Sequence, residues 1–188
     1  NIEGVKGRSR CGNYRVWENR TTKQGRQINL SVIVLEALGK TKKPDPLFML
    51  AGGPGDAPSF NAKFFSETFE KVRLTRDLVL VDLRGTGKSG PLLCPELAAP
   101  DKDGVLDDEI LGVQAVTNCR TRLEKEADLR QYTTEIAVDD LDEVRQALGY
   151  NQINLYGTSY GSRVAQVYMR RHPGSLRSVT MKGIVPPS

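Results

Sequence analysis

One serine, Ser159, has glycine two residues before it and two after, in Gly157-Thr158-Ser159-Tyr160-Gly161, at the point where a short apolar run gives way to an amphipathic one. Ile153 to Tyr156 has the length and composition of a buried strand, and Tyr160 to Arg171 carries apolar residues at helical spacing until Pro173 stops it. A serine at so tight a strand-to-helix turn is forced into a strained backbone conformation that pushes its hydroxyl out above the sheet. Small residues two before and two after are needed because strand and helix pass too closely there for a side chain. Such a turn needs a sheet beneath it and helices against that sheet.

The rest of the chain supplies both. Leu47 to Leu50 and Leu78 to Val81 are continuous apolar runs, the signature of central parallel-type strands covered on both faces. Between them Ala62 to Leu74 has helical spacing through Phe64, Phe65, Phe69 and Val72, which completes one strand-helix-strand unit. Upstream, Tyr14 to Trp17 and the alternation of Ile28, Leu30, Val32 and Val34 predict an antiparallel hairpin across the polar connection 21–26, followed by a charged loop at 40–45. Downstream, a loose region over 85–132 contains one helix near 114–126. Ala137, Leu141, Val144 and Leu148 then mark a helix ended by Gly149, and a last strand is predicted over 179–185. The expectation is one domain over 1–188 of α/β class, with a mostly parallel sheet that opens on an antiparallel hairpin.

A serine nucleophile needs donors for the oxyanion that forms on attack, and these are usually backbone N-H groups. One falls to Tyr160, directly after the serine at the positive end of a helix. The second is placed at Gly53, in the loop Ala51-Gly52-Gly53-Pro54-Gly55 that directly follows the run Leu47 to Leu50. Gly52, Gly157 and Gly161 support this arrangement by admitting close backbone contacts, and Arg84 is read as an ion-paired residue of the loop beside it.

Composition removes other classes. Lys and Arg exceed Asp and Glu by 27 to 23, but the excess is scattered and not interleaved with stacking aromatics, so a nucleic-acid groove is not expected. No apolar run reaches membrane-spanning length, and the chain opens on Asn1 with neither an initiator Met nor a leader, which is read as a trimmed polypeptide. Cys11, Cys94 and Cys119 lack the paired spacing of a zinc site, and no motif asks for a cofactor or metal. Cys94 and Cys119 bracket a polar excursion; spacing alone leaves both a disulfide and reduced thiols open. Gly85-Thr86-Gly87-Lys88-Ser89 ends like a phosphate-binding loop, but Asp82 stands where that motif requires its first glycine.

Together, Ala51-Gly52-Gly53-Pro54-Gly55, Asp82-Leu83-Arg84-Gly85-Thr86-Gly87-Lys88-Ser89, Tyr132-Thr133-Thr134 with Asp139-Asp140-Leu141, and Leu155 to Gly161 resemble the prolyl-aminopeptidase and tripeptidyl-aminopeptidase group of α/β-hydrolases. The resemblance runs from Cys11 to Pro187. It departs at Ala51, where the group usually has histidine, and at Leu83, where it often has glutamine. It implies a serine peptidase acting on N-terminal aminoacyl or tripeptidyl bonds, a Cys94–Cys119 disulfide, and a secreted or periplasmic enzyme.

In this fold the triad acid and histidine come after the serine in that order. The single histidine, His172, lies at the far end of the helix that Ser159 begins, roughly 20 Å away at 1.5 Å per residue, too far to be the base. Asp139, Asp140, Asp142 and Glu143 precede the serine and are read as structural carboxylates at a helix start. The resemblance implies that a lid, two further core strands, the acid and the base lie beyond Ser188, so these 188 residues alone are expected to be inert. Either a second chain carrying the C-terminal part completes the fold or the piece is a remnant, and a final strand left as an apolar edge favours the second chain. An esterase or lipase on small esters, or a hydrolase-like binding protein without a base, would share the same elbow.

Overall fold

The structure is a computed structural model, and it describes residues 2–97 and 113–186. Part of the predicted loose excursion, 98–112, lies outside the described residues, as do the last two positions. In chain order the strands are β1 (Ser9–Trp17), β2 (Gln27–Leu35), β3 (Leu47–Leu50), β4 (Leu78–Val81), β5 (Ile153–Thr158) and β6 (Leu176–Lys182). The helices are α1 (Ala62–Thr68), α2 (Glu70–Arg73), α3 (Val113–Leu123), α4 (Thr134–Ala147) and α5 (Tyr160–Arg171).

All six strands form one sheet in the order β1-β2-β4-β3-β5-β6. The hairpin β1–β2 is antiparallel over nine paired residues, β2 joins β4 antiparallel, and β4–β3, β3–β5 and β5–β6 are parallel. The sheet is therefore mostly parallel, with the expected hairpin at one side.

The continuous apolar runs are resolved by the period of two. Phe48 and Leu50 of β3 face one core with Leu155, Val138, Leu141, Val164 and Tyr168, beneath α4 and α5. Leu47 and Met49 face the other, with Leu78, Leu80 and Ala62, beneath α1 and α2. Every residue of β3 and β4 is buried, because helices cover both faces.

Three elements differ from expectation. The single helix predicted over 62–74 is two, since Phe69 breaks it with φ −104° and ψ 24°. The last strand runs over Leu176–Lys182 and not 179–185: a single turn at Pro173–Ser175 reverses the chain straight after α5, and Gly183, at φ +61°, ends the strand. Helix α4 begins at Thr134, where the Thr133 hydroxyl accepts from the Ile136 amide, so Asp139, Asp140 and Asp142 stand beyond its first turn. The helix dipole does not explain those aspartates; ion pairs do.

Candidate active site

Ser159 occupies the bend between β5 and α5 with φ 51° and ψ −122°, one of two non-glycine residues at positive φ among those described. The residue is exposed. A non-glycine residue held there costs about 1–3 kcal/mol and persists only where its surroundings over-determine it. The surroundings are tight. A β-carbon on Gly157 would meet the Gly161 carbonyl oxygen at 2.4 Å, and one on Gly161 would meet the Leu50 and Ala51 carbonyl oxygens at 2.2 and 2.6 Å. Both flanking glycines are thus required by backbone, which cannot yield.

The loop after β3 arrives beside this bend because β3 and β5 are parallel neighbours, with Leu50 opposite Gly157. Both strands release their chains at the same carboxyl end of the sheet, where open α/β sheets place their ligands. Gly52 lies against the serine: a β-carbon there would be 3.3 Å from Ser159 Cβ. Gly53 is next, at φ +48° and exposed, and its carbonyl accepts from the Asp56 amide. Tyr160 is the first residue of α5, where amides lack intrahelical partners, and its hydroxyl is 2.8 Å from Thr134 Oγ1.

The loop after β4 packs alongside. Buried Asp82 accepts from the Ser59 amide and hydroxyl and from the Lys88 amide, fastening this loop to the turn just past the Gly52–Gly53 segment. Gly87 leaves room for it, since a β-carbon there would sit 2.4 Å from Asp82 Oδ2. Arg84 is buried and makes two bonds to Asp140, at 2.7 and 2.8 Å, while also donating to the carbonyls of Trp17, Glu18 and Gln131. Its predicted ion pair is therefore present, and its partner is one of the α4 aspartates. Arg20 reaches the same Asp140 at 2.8 Å.

A cavity of about 230 Å3 opens between these loops and the helices, lined mainly by apolar groups that include Leu50, Leu83, Tyr132 and Val164, with Ala51 and Arg84. Tyr160 and Pro54, the chain neighbours of Ser159 and Gly53, also line it.

The remaining aspartates pair as well. Asp139 binds Arg171 and lies 2.9 Å from His172 Nε2, which holds the single histidine at the opposite end of α5 from Ser159. Burial works to raise the Asp142 carboxyl, but hydrogen bonds from Arg145, Tyr168 and Gln146 outweigh it and hold the group well below the ordinary carboxylate range. Cys94 and Cys119 form a disulfide with Cα atoms 5.5 Å apart, and Cys11 is a free, exposed thiol. Among the described residues no helix is long and apolar enough to cross a membrane.

Ser162 is marked by no motif in the sequence. Its hydroxyl is buried and donates to the Ser159 carbonyl at 2.6 Å. A serine in the first turn of a helix carries no signal of such a role, because its partners are set by how the chain folds back.

A sheet of this order, with an exposed serine in a positive-φ elbow between a parallel strand and a helix, defines an α/β-hydrolase-type protein. The chain belongs to the alpha/beta hydrolase fold family, which matches residues 45–188. It is 29% identical over 193 residues to the tripeptidyl aminopeptidase of Streptomyces coelicolor, covering 95% of this chain and 35% of that protein. It is also 29% identical over 197 residues to the serine protease Hip1 of Mycobacterium tuberculosis, covering 98% of this chain and 37% of that one. The chain thus spans about a third of the length of these curated relatives. Among solved structures, MGS-M2, an alpha/beta hydrolase enzyme from a Medee basin deep-sea metagenome library, matches with a TM-score of 0.52 at 18% identity, covering 84% of this chain and 42% of that one.

Proposed function

We propose that this chain carries the nucleophile and oxyanion half of a serine peptidase, with Ser159 attacking the acyl carbon of an N-terminal aminoacyl or tripeptidyl bond. The observation that carries the reading is the exposed serine at φ 51° with Gly52 packed against it. In the reaction Ser159 Oγ bonds to the carbonyl carbon and its proton passes to a base. The negative charge that develops on the carbonyl oxygen faces the amides of Gly53 and Tyr160. The C–N bond then breaks, the amine leaves with the proton from the base, and water releases the acyl group from Ser159 by the reverse sequence.

The base and acid are proposed to come from residues outside these 188: the single histidine is engaged with Asp139 at the other end of α5, and in this fold the acid follows the serine along the chain, ahead of the histidine. A partner polypeptide carrying the C-terminal part of the same protein is their proposed source, consistent with relatives about three times as long. The apolar lining of the cavity suits an uncharged acyl side chain. The disulfide favours an oxidising compartment, and the proposed location is secreted or periplasmic.

Labelling of the complete protein with a fluorophosphonate tests this. Ser159 Oγ displaces fluoride at phosphorus, and the modification should map to Ser159, vanish in Ser159→Ala, and parallel loss of aminopeptide turnover. Turnover retained by folded Ser159→Ala would defeat the reading.

A further inference from the structure

The strained elbow has to be held by something, and its two backbone polar groups show what holds it. The Ser159 amide donates to the Lys182 carbonyl at the end of β6, at 2.9 Å. The Ser159 carbonyl accepts twice from Ser162, from its amide at 2.8 Å and from its hydroxyl at 2.6 Å. The same hydroxyl accepts from the Val185 amide at 2.9 Å. Gln166, one turn further along α5, donates to the Val185 carbonyl at 2.8 Å and to the Ser162 carbonyl at 3.2 Å. Both backbone groups of Val185 are therefore gripped by side chains of the helix that Ser159 begins.

These contacts close a ring. Lys182, Gly183, Ile184 and Val185 leave the sheet across the elbow, held at one end by the Ser159 amide and at the other through Ser162 to the Ser159 carbonyl. Gly183 turns at φ +61°, and a β-carbon there would lie 3.9 Å from the Ser159 nitrogen, so the segment runs directly against the bend. Ser162 is completely buried, so its hydroxyl has no water to fall back on, and its one proton and one of its lone pairs are committed to the two sides of the ring.

We propose that Ser162 is a positioning residue for Ser159: its buried hydroxyl clips the elbow carbonyl to Val185, so that the segment leaving β6 holds the nucleophile in its reactive backbone conformation. This rests on Ser159 being the nucleophile. It gives residues 183–185 a role beyond that of a connecting segment. Any movement of that segment is transmitted to the elbow, and the reactivity of Ser159 depends on the segment being seated.

The test uses the complete protein at a temperature well below unfolding, with three readouts: the fluorophosphonate labelling rate of Ser159, kcat and KM for an aminopeptide substrate, and hydrogen exchange of the Val185 amide. Two variants are compared with wild type. Ser162→Ala removes the bridging hydroxyl, and Val185→Pro removes the amide donor of half-buried Val185 while also fixing its φ, so it decides the matter if Ser162→Ala fails to fold. Misplaced reacting groups lose rate rather than affinity, so labelling and kcat should fall by about tenfold or more while KM stays within about twofold. Exchange at Val185 should accelerate in Ser162→Ala. Wild-type labelling and turnover in both variants would overturn the clamp and leave the nucleophile assignment standing. A wild-type protein in which Ser159 takes no label would remove that assignment and the clamp together.

Discussion

Gly161 lies so close beneath β3 that a β-carbon on it would stand 2.2 Å from the Leu50 carbonyl oxygen. This approach of α5 to the end of β3 brings the loop after β3 onto the serine elbow. Gly161→Ala would have to push helix and strand apart, at an expected cost of about 3 kcal/mol or more. Gly174→Ala, which meets nothing within 4 Å, should stay within about 0.5 kcal/mol of wild type. Urea unfolding of the two variants checks this, and equal midpoints would count against the close approach.

Ser159→Gly should separate stability from function. Glycine adopts φ 51° without strain, and Ser159 makes no side-chain cap to α5 that would be lost. The variant is expected to gain about 1 kcal/mol while losing labelling and turnover. A destabilised Ser159→Gly would show that the elbow is not strained.

Asp140 carries the buried Arg84 and the half-buried Arg20 at once. Asp140→Ala leaves a buried guanidinium without its carboxylate and should cost about 3–5 kcal/mol. Denaturant titration measures it, and a loss below about 1 kcal/mol would mean that the carbonyls of Trp17, Glu18 and Gln131 satisfy Arg84 unaided.

The disulfide joins positions 25 residues apart. Closing a loop of that size in the unfolded chain is worth about 3 kcal/mol, so reduction, or paired Cys94→Ala and Cys119→Ala, should lower the unfolding temperature by several degrees. Scanning calorimetry with and without reductant tests it; an unchanged midpoint would show that the bond does not constrain the unfolded state.

Acid should unfold the protein from the carboxylate side. Burial works to raise Asp45, Asp77, Asp139 and Asp142, yet hydrogen bonds and neighbouring cations outweigh it and hold all four below the ordinary value of 3.8. A depressed folded-state pKa contributes stability that is fully present above the unfolded value and is lost as pH falls through the folded one. These groups therefore predict a level urea midpoint from about pH 5 to 8 and a decline below about pH 4. A midpoint at pH 3 equal to that at pH 6 would refute their contribution.

Much of the site is local chemistry. Gly157, Ser159 and Gly161 announce a tight strand-to-helix turn because the constraint acts between residues two apart, and the loop 51–55 is marked by its glycines after an apolar strand. The boundaries of β6 are not legible in this way. Its start depends on a one-turn reversal at Pro173–Ser175 and its end on the positive φ of Gly183, whereas the apolar residues Val179 and Val185 suggest a later strand. The α4 aspartates are misplaced by sequence for a related reason: Thr133 caps the helix before its apolar periodicity begins at Ala137.

By itself the amino-acid order determined the class of fold and the serine at its turn, since periodicity and glycine spacing act over a few residues. Tertiary structure alone decided that Gly52 rests on Ser159, that Arg84 closes on Asp140, and that Val185 is gripped by Ser162. The last two pairs are 56 and 23 residues apart along the chain. Nothing local sets such distances; they arise from strands lying in register and helices packing across them.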